Sequence, residues 1–422
     1  MPEVKMRGFK STVRIDEATS RFFGAVSFEK PIVESVSTLE ALGRILGEDV
    51  KSQFDIPPFH KSAVDGYAVN AEDTFGASRT NPSILTLIGE IEAGRKPDFE
   101  VRRGEGAKIA TGATMPKGAD AAVMLEYTKT IDPRHIEVWT ASTPNENVTT
   151  KGEDIHTGEI ALKKGVRIRP QDVGILVMLG HRAVKVVKKP RVSIFSTGDE
   201  LVESMEEIEA GKTVDVNRPI LLSMIGEAGA IGLDRGIVKD QFEEIRRNLV
   251  EGLAEADAVV VTGGTSVGAK DIVPEVVDSI GKPGVLVHGI SMRPGMPTGL
   301  GIVNGKPVIL LPGNPVAAMI GFEVFVRPLI SRLMEADEEL TSKIKGRLTR
   351  RIASVQGFRT FNRVRVRRGG DQLSVEPMRL TGSGILTSMT KANGILVIPE
   401  DVEGYEAGEE VEVQLLRPVE ES

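Results

Sequence analysis

Four short segments of the sequence carry glycines, carboxylates and amides that could bind an anionic ligand. They are residues 197–200, 215–217, 263–271 and 312–315. Residues 258–261, AVVV, form an apolar run typical of a strand buried on both faces, and Gly263 and Gly264 follow it. Glycines there would leave backbone N–H groups facing outward, which suits phosphate or an oxyanion. The alternative is a tight strand-to-helix turn capped by Asp271.

Three carboxylates, those of Asp199, Asp215 and Asp271, stand in these segments. Ligands of parallel sheets bind beyond the carboxyl ends of the strands, so we expect the three to lie close together. Their oxygens suit a hydrated Mg²⁺ that bridges phosphates. Because carboxylates alone would repel an anion, a cation is required, and Arg293 in SMRPGMP is the candidate base. Taken singly, each Asp could instead be a cap or a turn residue.

The composition excludes several classes of function. The chain has 422 residues, no Cys and five His, with a net charge of −7. Disulfides, thiolate metal sites and Cys nucleophiles are excluded, and the acidic balance argues against nucleic acid as a partner. No apolar run reaches the ~18 residues that span a bilayer, and the basic N-terminus lacks the apolar core of a secretory signal. We expect a cytoplasmic protein without a membrane partner.

The sequence of the first half of the chain predicts helices, loops and a small β domain. A capping-box pattern at Ser37 predicts a helix that ends at Gly47. Residues 84–127 alternate between apolar patches and Gly or Pro, which predicts an antiparallel β domain. Other expected elements are a helix over 16–23, an ordered loop over 54–69 with Asp65, a polar loop over 145–159 with Glu153 and Asp154, and a helix from Pro170 closed by Gly180.

From Arg191 onward, strands and helices alternate, which predicts a doubly wound parallel sheet. Asn217 is the predicted cap of a helix to Ala228, and Asn314 that of a long helix to Met334. Asn304-Gly305 predicts a hairpin between two strands. From Gly346 the pattern is that of strands and turns, typical of a barrel-like β domain.

At this point the motifs resemble a known family. The segments SAVDGYA, TGATMPKGADAAV, GEDI, FSTGDEL, DVNR, TGGTSVGAKD and LPGNP occur in this order. They resemble the molybdopterin molybdenumtransferases of the MoeA type, also found as the E domain of gephyrin. The match extends from about residue 16 to about residue 416. The GGTSVG element is shared with other proteins of that α/β domain, whereas DGYA ahead of TGA-P-GAD is much more specific.

The resemblance implies a multidomain fold, α/β plus β. An elongated N-terminal domain is split between 16–54 and 146–188, and a small β domain over 55–145 is inserted in it. A doubly wound, MogA-like molybdopterin-binding domain follows over 189–335, and a C-terminal β-barrel over 336–422. The family forms homodimers whose cleft lies between the α/β domain of one subunit and the first two domains of the other.

The implied reaction takes adenylylated molybdopterin and molybdate, inserts the metal at the dithiolene and releases AMP, with Mg²⁺ as cofactor. The molybdopterin adenylyltransferase is a candidate partner. Together, the four segments and the resemblance predict Asp65, Asp154, Asp215 and Asp271 as catalytic, the last two also as Mg²⁺ ligands. The predicted substrate-binding residues are Thr111, Glu153, Asp199, Glu200, Asn217, Gly263, Gly264, Ser266, Gly268, Arg293, Pro312, Gly313, Asn314, Pro315, Arg359 and Ser383, with Arg363 as a further carry-over.

Two departures from the family pattern remove positive charge from the expected oxyanion site. The family commonly has KPGKP where this chain has RPGMP, so that Met296 stands in place of a lysine. The family often has arginines before GED, where this chain has Thr149, Thr150 and Lys151. Either another base substitutes or the metal is handled differently. Tungstate, nearly isosteric with molybdate, is the other metalate to consider.

Two other functions stay open on the sequence. The shared α/β domain could serve an adenylyltransferase or a nucleotide-amide hydrolase, and adenylyl transfer would release pyrophosphate from ATP. A non-catalytic scaffold is the third possibility, and it predicts peptide binding without AMP release.

Overall fold

The computed structural model describes residues 12–264, 272–337, 342–370, 372–378 and 382–421. Within these ranges, no helix is both long enough and apolar enough to cross a lipid bilayer. The α-helices are Ile15–Ala25, Pro170–Met178, Asn217–Glu227, Phe242–Glu255, Ile272–Ile280, Pro315–Gly321, Arg327–Leu333 and Thr387–Lys391. The π-helical turn Phe322–Val326 joins two of these into one continuous helix. Short 3₁₀ turns are Thr38–Glu40, Ala71–Thr74, Leu125–Tyr127 and Met205–Glu207.

The first helix, Ile15–Ala25, contains the predicted helix over 16–23. Its apolar residues at helical spacing, among them Ile15 and Phe22, are buried in the same core as the strands of the α/β sheet. The helix therefore packs on the α/β domain, although the sequence places it in the elongated N-terminal one.

The elongated part consists of two-stranded pairings around the helix Pro170–Met178. The helix predicted from Ser37 to Gly47 is wrong, because only the turn Thr38–Glu40 forms. Ser37 makes no side-chain cap, and Ile45 and Leu46 bridge to Arg167 and Val186 instead. Long-range pairing of backbone groups thus overrides the local capping pattern. The strand pairs are Val33–Ser37 with Ala183–Val187 and Val50–Lys51 with Ile160–Leu162.

The small β domain is a six-stranded sheet. Its strands, in spatial order, are Ala121–Met124, Gly66–Val69, Glu105–Ile109, Ser83–Ile91, His135–Val138 and Thr128–Asp132. All neighbouring pairs are antiparallel except Ser83–Ile91 with Glu105–Ile109, which is parallel. The prediction of a purely antiparallel domain is therefore corrected at one pair. Beside the sheet, Lys61–Ser62 pairs with Val148–Thr149.

The α/β domain contains the doubly wound sheet that the alternating pattern predicted. Its strands, in spatial order, are Ile231–Val238, Arg191–Thr197, Ala258–Thr262, Lys306–Leu311, Gly299–Val303 and Pro283–His288. The first four are parallel, and the last two are antiparallel to their neighbours. Asn304 and Gly305, both at positive φ, form the predicted hairpin turn. Two apolar cores lie on the two faces of the sheet.

Chain order reverses next to the central strands of this sheet. From Arg191–Thr197 the chain runs to Ile231–Val238 on one side, and it then returns to Ala258–Thr262 on the other. Such a switch leaves a crevice at the carboxyl ends of the two inner strands. The sequence segments at 197–200 and 263–264 begin at this crevice.

Five strands of the C-terminal region close into a β-barrel, as the sequence predicted. In order around the barrel they are Arg359–Gly369, Gln372–Pro377, Lys343–Leu348, Glu410–Leu415 and Gly394–Ile398, which pairs back with the first. Alternate residues such as Val364 and Val366 fill its core. The short strand Met292–Arg293 of the α/β domain pairs with Arg359–Gly369 and joins the two domains. Smaller pairs are Ile352–Ala353 with Gly404–Tyr405, Leu201–Val202 with Thr213–Val214, and Glu420–Glu421 with Arg359–Gly369.

Candidate active site

A cavity of about 790 Å³ opens at the carboxyl edge of the α/β sheet, at the reversal of chain order. Backbone turns, polar side chains and an apolar wall all contribute to it. The lining residues are Ser196, Thr197, Glu200, Leu201, Met205, Ile208, Thr213, Val214, Asp215, Val216, Asn217, Thr262, Gly263, Gly264, Pro297, Pro312, Gly313, Asn314, Pro315, Gly384 and Leu386. A space of this size accommodates a nucleotide or a cofactor.

The turn after the strand Ala258–Thr262 requires glycine for two reasons. Gly263 and Gly264 have φ of +91° and +59°. A Cβ on Gly263 would lie 2.1 Å from the carbonyl oxygen of Thr197, a backbone atom that cannot move aside easily. The turn thus passes close to the neighbouring strand. The Gly263 N–H donates to the Leu311 carbonyl at 3.1 Å, so of the two N–H groups predicted to face an anion only that of Gly264 has no backbone partner among the described residues.

We expect Gly263→Ala to displace this turn and lower activity on the order of 10-fold or more, because substrate positioning depends on it. Gly94 is the matched control, with φ +81° and no atom within 4 Å of the position that a Cβ would occupy. Gly94→Ala should cost only about 1 kcal/mol of unfolding free energy and leave activity unchanged. Thermal denaturation and turnover measure both effects, and equal losses of activity in the two variants would contradict a role for the turn.

Two helices begin at the cavity, and their first residues differ from the prediction. Asn314 occupies the N-cap position of Pro315–Gly321, yet its exposed side chain makes no cap hydrogen bond. Asn217 is the first residue of its helix rather than the cap. Its Nδ2 donates instead to Thr262 Oγ1 at 2.9 Å and to the Gly313 carbonyl at 2.8 Å. Neither asparagine side chain caps its helix, and both residues line the cavity.

Asp215 and Arg218 form a buried ion pair beside the cavity. Asp215 Oδ1 accepts from the Arg218 backbone N–H at 3.2 Å, and Oδ2 accepts from Nε at 3.1 Å. Arg218 also pairs with Asp234 and Glu203. Burial lowers the pKa of Arg218, and the bonds to Asp234 and Asp215 outweigh this and raise it. The pair fixes the start of the helix Asn217–Glu227 at the cavity wall.

The described residues do not fit a magnesium site on their own. Among them, no group of three or more His, Asp or Glu side chains could hold a metal ion. Asp215 already uses both carboxylate oxygens for Arg218. Asp271, the other predicted ligand, lies outside the described residues, as do Ser266 and Gly268.

Arg363 is a half-buried cation close to the cavity. Its Nη2 contacts the Gly382 carbonyl at 3.4 Å, and Gly384, two residues further on, lines the cavity. Its Nε is buried and has no hydrogen-bond partner among the described residues. Burial lowers the pKa of Arg363, and no carboxylate offsets that effect. A partly desolvated guanidinium without a carboxylate partner is costly, and it suits an anion.

A second cluster of predicted residues lies in the N-terminal half. Asp65 Oδ1 accepts from the Thr111 N–H at 2.8 Å, and Glu153 accepts from the Thr150 N–H at 2.6 Å. Asp154 is exposed on the same loop. The described lining of the cavity includes no residue of this cluster from the same chain.

A lysine stands beside one position where the resemblance leads us to expect a base. Thr149 pairs across the two short strands with Lys61. Side chains directly opposite each other in such a pair are ~5 Å apart at Cβ. Lys61 can therefore supply positive charge at Thr149. Arg293, by contrast, lies over the Phe358 ring at 4.7 Å, next to the barrel.

Comparison with known proteins decides the family. Residues 13–180 match the MoeA N-terminal region (domain I and II), residues 193–332 match a probable molybdopterin binding domain, and residues 345–416 match the MoeA C-terminal region (domain IV). This chain belongs to the MoeA family. The resemblance read from the motifs is confirmed.

Relatives of the MoeA family match along nearly their whole length. A putative molybdopterin biosynthesis protein of Methanocaldococcus jannaschii is 42% identical, with 92% of this chain and 94% of the relative covered. A molybdopterin molybdenumtransferase of Staphylococcus aureus is 34% identical, with 96% of each covered. The solved structure of the molybdopterin biosynthesis MoeA protein of Pyrococcus horikoshii is 35% identical, with a TM-score of 0.85 over 96% of this chain and 100% of that one. The predicted fold class is confirmed.

The MoeA cavity brings together nine of the predicted residues and leaves others aside. Arg293 and Asp199 do not line it, and the Asp199 carboxylate accepts from the Asp240 N–H at 3.3 Å. Arg359 forms ion pairs with Asp16 and Glu400, and the pair with Asp16 joins the first helix to the barrel. The backbone carbonyl of Ser383 accepts a hydrogen bond from the Val316 N–H at 3.1 Å. The nine are Glu200, Asp215, Asn217, Gly263, Gly264, Pro312, Gly313, Asn314 and Pro315.

Several cavity residues were missed from the sequence. Thr262 is the polar last residue of the apolar strand Ala258–Thr262, and Ser196 is the last but one of the buried strand Arg191–Thr197, so a search for polar residues at strand ends could have found them. Asp240 does not line the cavity, but its Oδ1 accepts from Oγ1 of the lining residue Thr197 at 2.6 Å. The apolar wall that includes Met205 and Ile208 gave no signal, because exposed apolar residues on a loop look like ordinary surface.

Proposed function

We propose that this protein inserts molybdate or tungstate into adenylylated molybdopterin and releases AMP, as a molybdopterin molybdenumtransferase in molybdenum cofactor biosynthesis. The observation that carries the proposal is a cavity built from a glycine turn, with a half-buried cation close by that has no carboxylate partner among the described residues, on a chain that matches a relative of that name over 96% of its length. The cytoplasm is the proposed location.

The protein's own groups bind and orient the two substrates. The Gly263 N–H donates to the Leu311 carbonyl at 3.1 Å, so the Gly264 N–H is the donor of this turn that suits the phosphates, since a donor fixed before binding needs no reorganisation. Arg363 suits the metalate, a tetrahedral dianion that needs donors and cations. Glu200 lines the cavity and has no side-chain partner among the described residues, so it can hold the water that attacks the adenylate.

The dithiolene belongs to the substrate, so the lack of Cys is no obstacle to the reaction. When the two thiols bind molybdate, one oxo group leaves as water with both thiol protons, and no electron is transferred. The protein therefore needs only to hold the metal next to the dithiolene. Hydrolysis of the phosphoanhydride then separates AMP from the loaded pterin.

A homodimer with a shared cleft is part of the proposal. It is supported by the predicted site residues Asp65 and Thr111, which are exposed and do not line the cavity of their own chain, so that a second subunit could bring them to a cleft. Exposed apolar side chains that a dimer could cover include Leu39, Leu42 and Val177. The molybdopterin adenylyltransferase is a further proposed partner, since it would supply the substrate.

Mg²⁺ stays in the proposal on the resemblance alone, with Asp215 and Asp271 as predicted ligands. The ion pair with Arg218 argues that Asp215 positions the helix instead. We expect Asp215→Asn to lower turnover on the order of 10-fold while the Mg²⁺ concentration for half-maximal activity stays unchanged. Asp234→Asn is the control, because Asp234 also binds Arg218 but does not line the cavity. A selective rise in the Mg²⁺ requirement of Asp215→Asn would instead show a metal ligand.

One assay tests the function directly. Purified protein is mixed with adenylylated molybdopterin, Mg²⁺ and either molybdate or tungstate, and released AMP and pterin-bound metal are measured. We expect AMP and metal insertion in equal amounts, and the preferred metalate is identified by the faster reaction. Pyrophosphate release from ATP and unmodified molybdopterin would show an adenylyltransferase, and binding without AMP would show a scaffold.

A further inference from the structure

Two buried polar atoms at the cavity have no hydrogen-bond partner among the described residues. They are Oγ of Ser196 and Oδ1 of Asn217. Both residues line the cavity, and they are only 1% and 7% exposed. A buried polar atom without a partner is unfavourable by an amount comparable to a hydrogen bond or more. A bound molecule can therefore supply the hydrogen-bond partner that each atom lacks.

The orientation of the Asn217 amide is fixed by its other contacts. The Gly313 carbonyl can only accept, so the group that faces it at 2.8 Å must be Nδ2. Thr262 Oγ1 donates to the Pro312 carbonyl at 3.3 Å and hence accepts from the same nitrogen. Both amide protons are used, and Oδ1 is left as an acceptor that cannot exchange places with Nδ2.

An acceptor of this kind selects the chemical group that it meets. Neither Oδ1 nor the nearby carboxylates of Asp215 and Glu200 can bind phosphate or metalate oxygens, which are acceptors as well. An N–H donor on a nitrogen heterocycle satisfies Oδ1, and the Ser196 hydroxyl, on the same cavity, can donate or accept a second hydrogen bond. Resting on the proposed function, we propose that Ser196 and Asn217 bind the N–H edge of the substrate's heterocycle. The phosphates then lie toward the Gly263–Gly264 turn.

Both the pterin and the adenine of the proposed substrate carry such N–H groups, so the experiment must distinguish them. The chain offers a matched control in Ser193, which is on the same strand, fully buried and likewise without a partner. Ser193 faces the helix Phe242–Glu255, since a Cβ on Gly252 would lie 2.8 Å from its Oγ. It does not line the cavity.

The test is calorimetric binding of AMP and of free pterin to the wild type, Ser196→Ala and Ser193→Ala. We expect Ser196→Ala to weaken one of the two probes about 5- to 10-fold, the loss of one hydrogen bond, while Ser193→Ala binds as the wild type. The weakened probe identifies the heterocycle. If it is AMP, purine ribonucleoside monophosphate, which has neither the amino group nor an N1–H, should bind both proteins equally.

Three results would overturn the inference: equal binding to both Ser variants, no effect of Ser196→Ala on either probe, or no wild-type binding of either probe up to about 1 mM. Thermal denaturation of the two variants checks that each is folded. Failure of the proposed function is a separate result. A protein that binds a probe with the expected Ser196 dependence but releases no AMP retains this inference and loses the transferase assignment.

Discussion

Arg363→Gln is expected to lower metal insertion on the order of 10²-fold, because it removes a half-buried cation that is close to the cavity, has no carboxylate partner among the described residues and is proposed to hold the metalate. The same change should leave the melting temperature unchanged or raise it. A desolvated charge without a counterion destabilises the folded state, and its removal relieves that effect. Loss of activity together with retained or increased stability is the signature of a functional charge.

Arg365→Gln is the matched control for this prediction. Arg365 lies on the same face of the same strand, two residues further along, and pairs with Glu420 at 3.4 Å. Its loss should lower stability slightly and leave the reaction rate near that of the wild type. If both variants lose activity equally, or if Arg363→Gln retains it, then Arg363 does not hold the metalate.

Mixed dimers of an Asp65→Ala subunit and an Arg363→Gln subunit should regain activity that neither variant has alone. In a shared cleft, one site of each heterodimer contains two intact halves and the other contains both defects. A statistical mixture in equal amounts should therefore reach about a quarter of the wild-type rate, since half of its dimers are mixed. The measurement is AMP release after the two variants are unfolded and refolded together.

The control for this prediction is a mixture of Gly263→Ala and Arg363→Gln subunits. Both defects lie on the same side of the proposed cleft, so neither site of such a heterodimer is intact. Activity should stay at the level of the separate variants. Mixed dimers, shown to form by differential tagging, that fail to recover activity in the Asp65 combination would place the whole site within one chain.

The sequence anticipated the parts of the site that depend on neighbouring residues. The turn at Gly263 and Gly264 follows from an apolar run that stops at two glycines, and a local pattern suffices to predict it. Asn304-Gly305 gave the hairpin for the same reason. The order of elements from Arg191 onward was enough to predict the sheet and the edge at which ligands bind.

Contacts between distant residues account for what the sequence reasoning missed. Arg359 pairs with Asp16, 343 residues away, so its role in joining the first helix to the barrel could not be read from a strand pattern. The capping box at Ser37 failed because a returning segment pairs with residues 45 and 46. Asn217 was predicted as a cap, yet its amide donates to Thr262 on a neighbouring strand and to Gly313 in the turn after the strand Lys306–Leu311.

The most direct measurement of the central claim is the location of the two anions. A crystal soaked with AMP and tungstate would show the nucleotide phosphate from ordinary density and the metal from its anomalous signal. We predict the phosphate at the Gly263–Gly264 turn, inside the cavity at the sheet edge, and tungsten next to the Arg363 guanidinium close to that cavity. Tungsten and AMP bound elsewhere, with this cavity open and Arg363 still without an anion, would contradict the account.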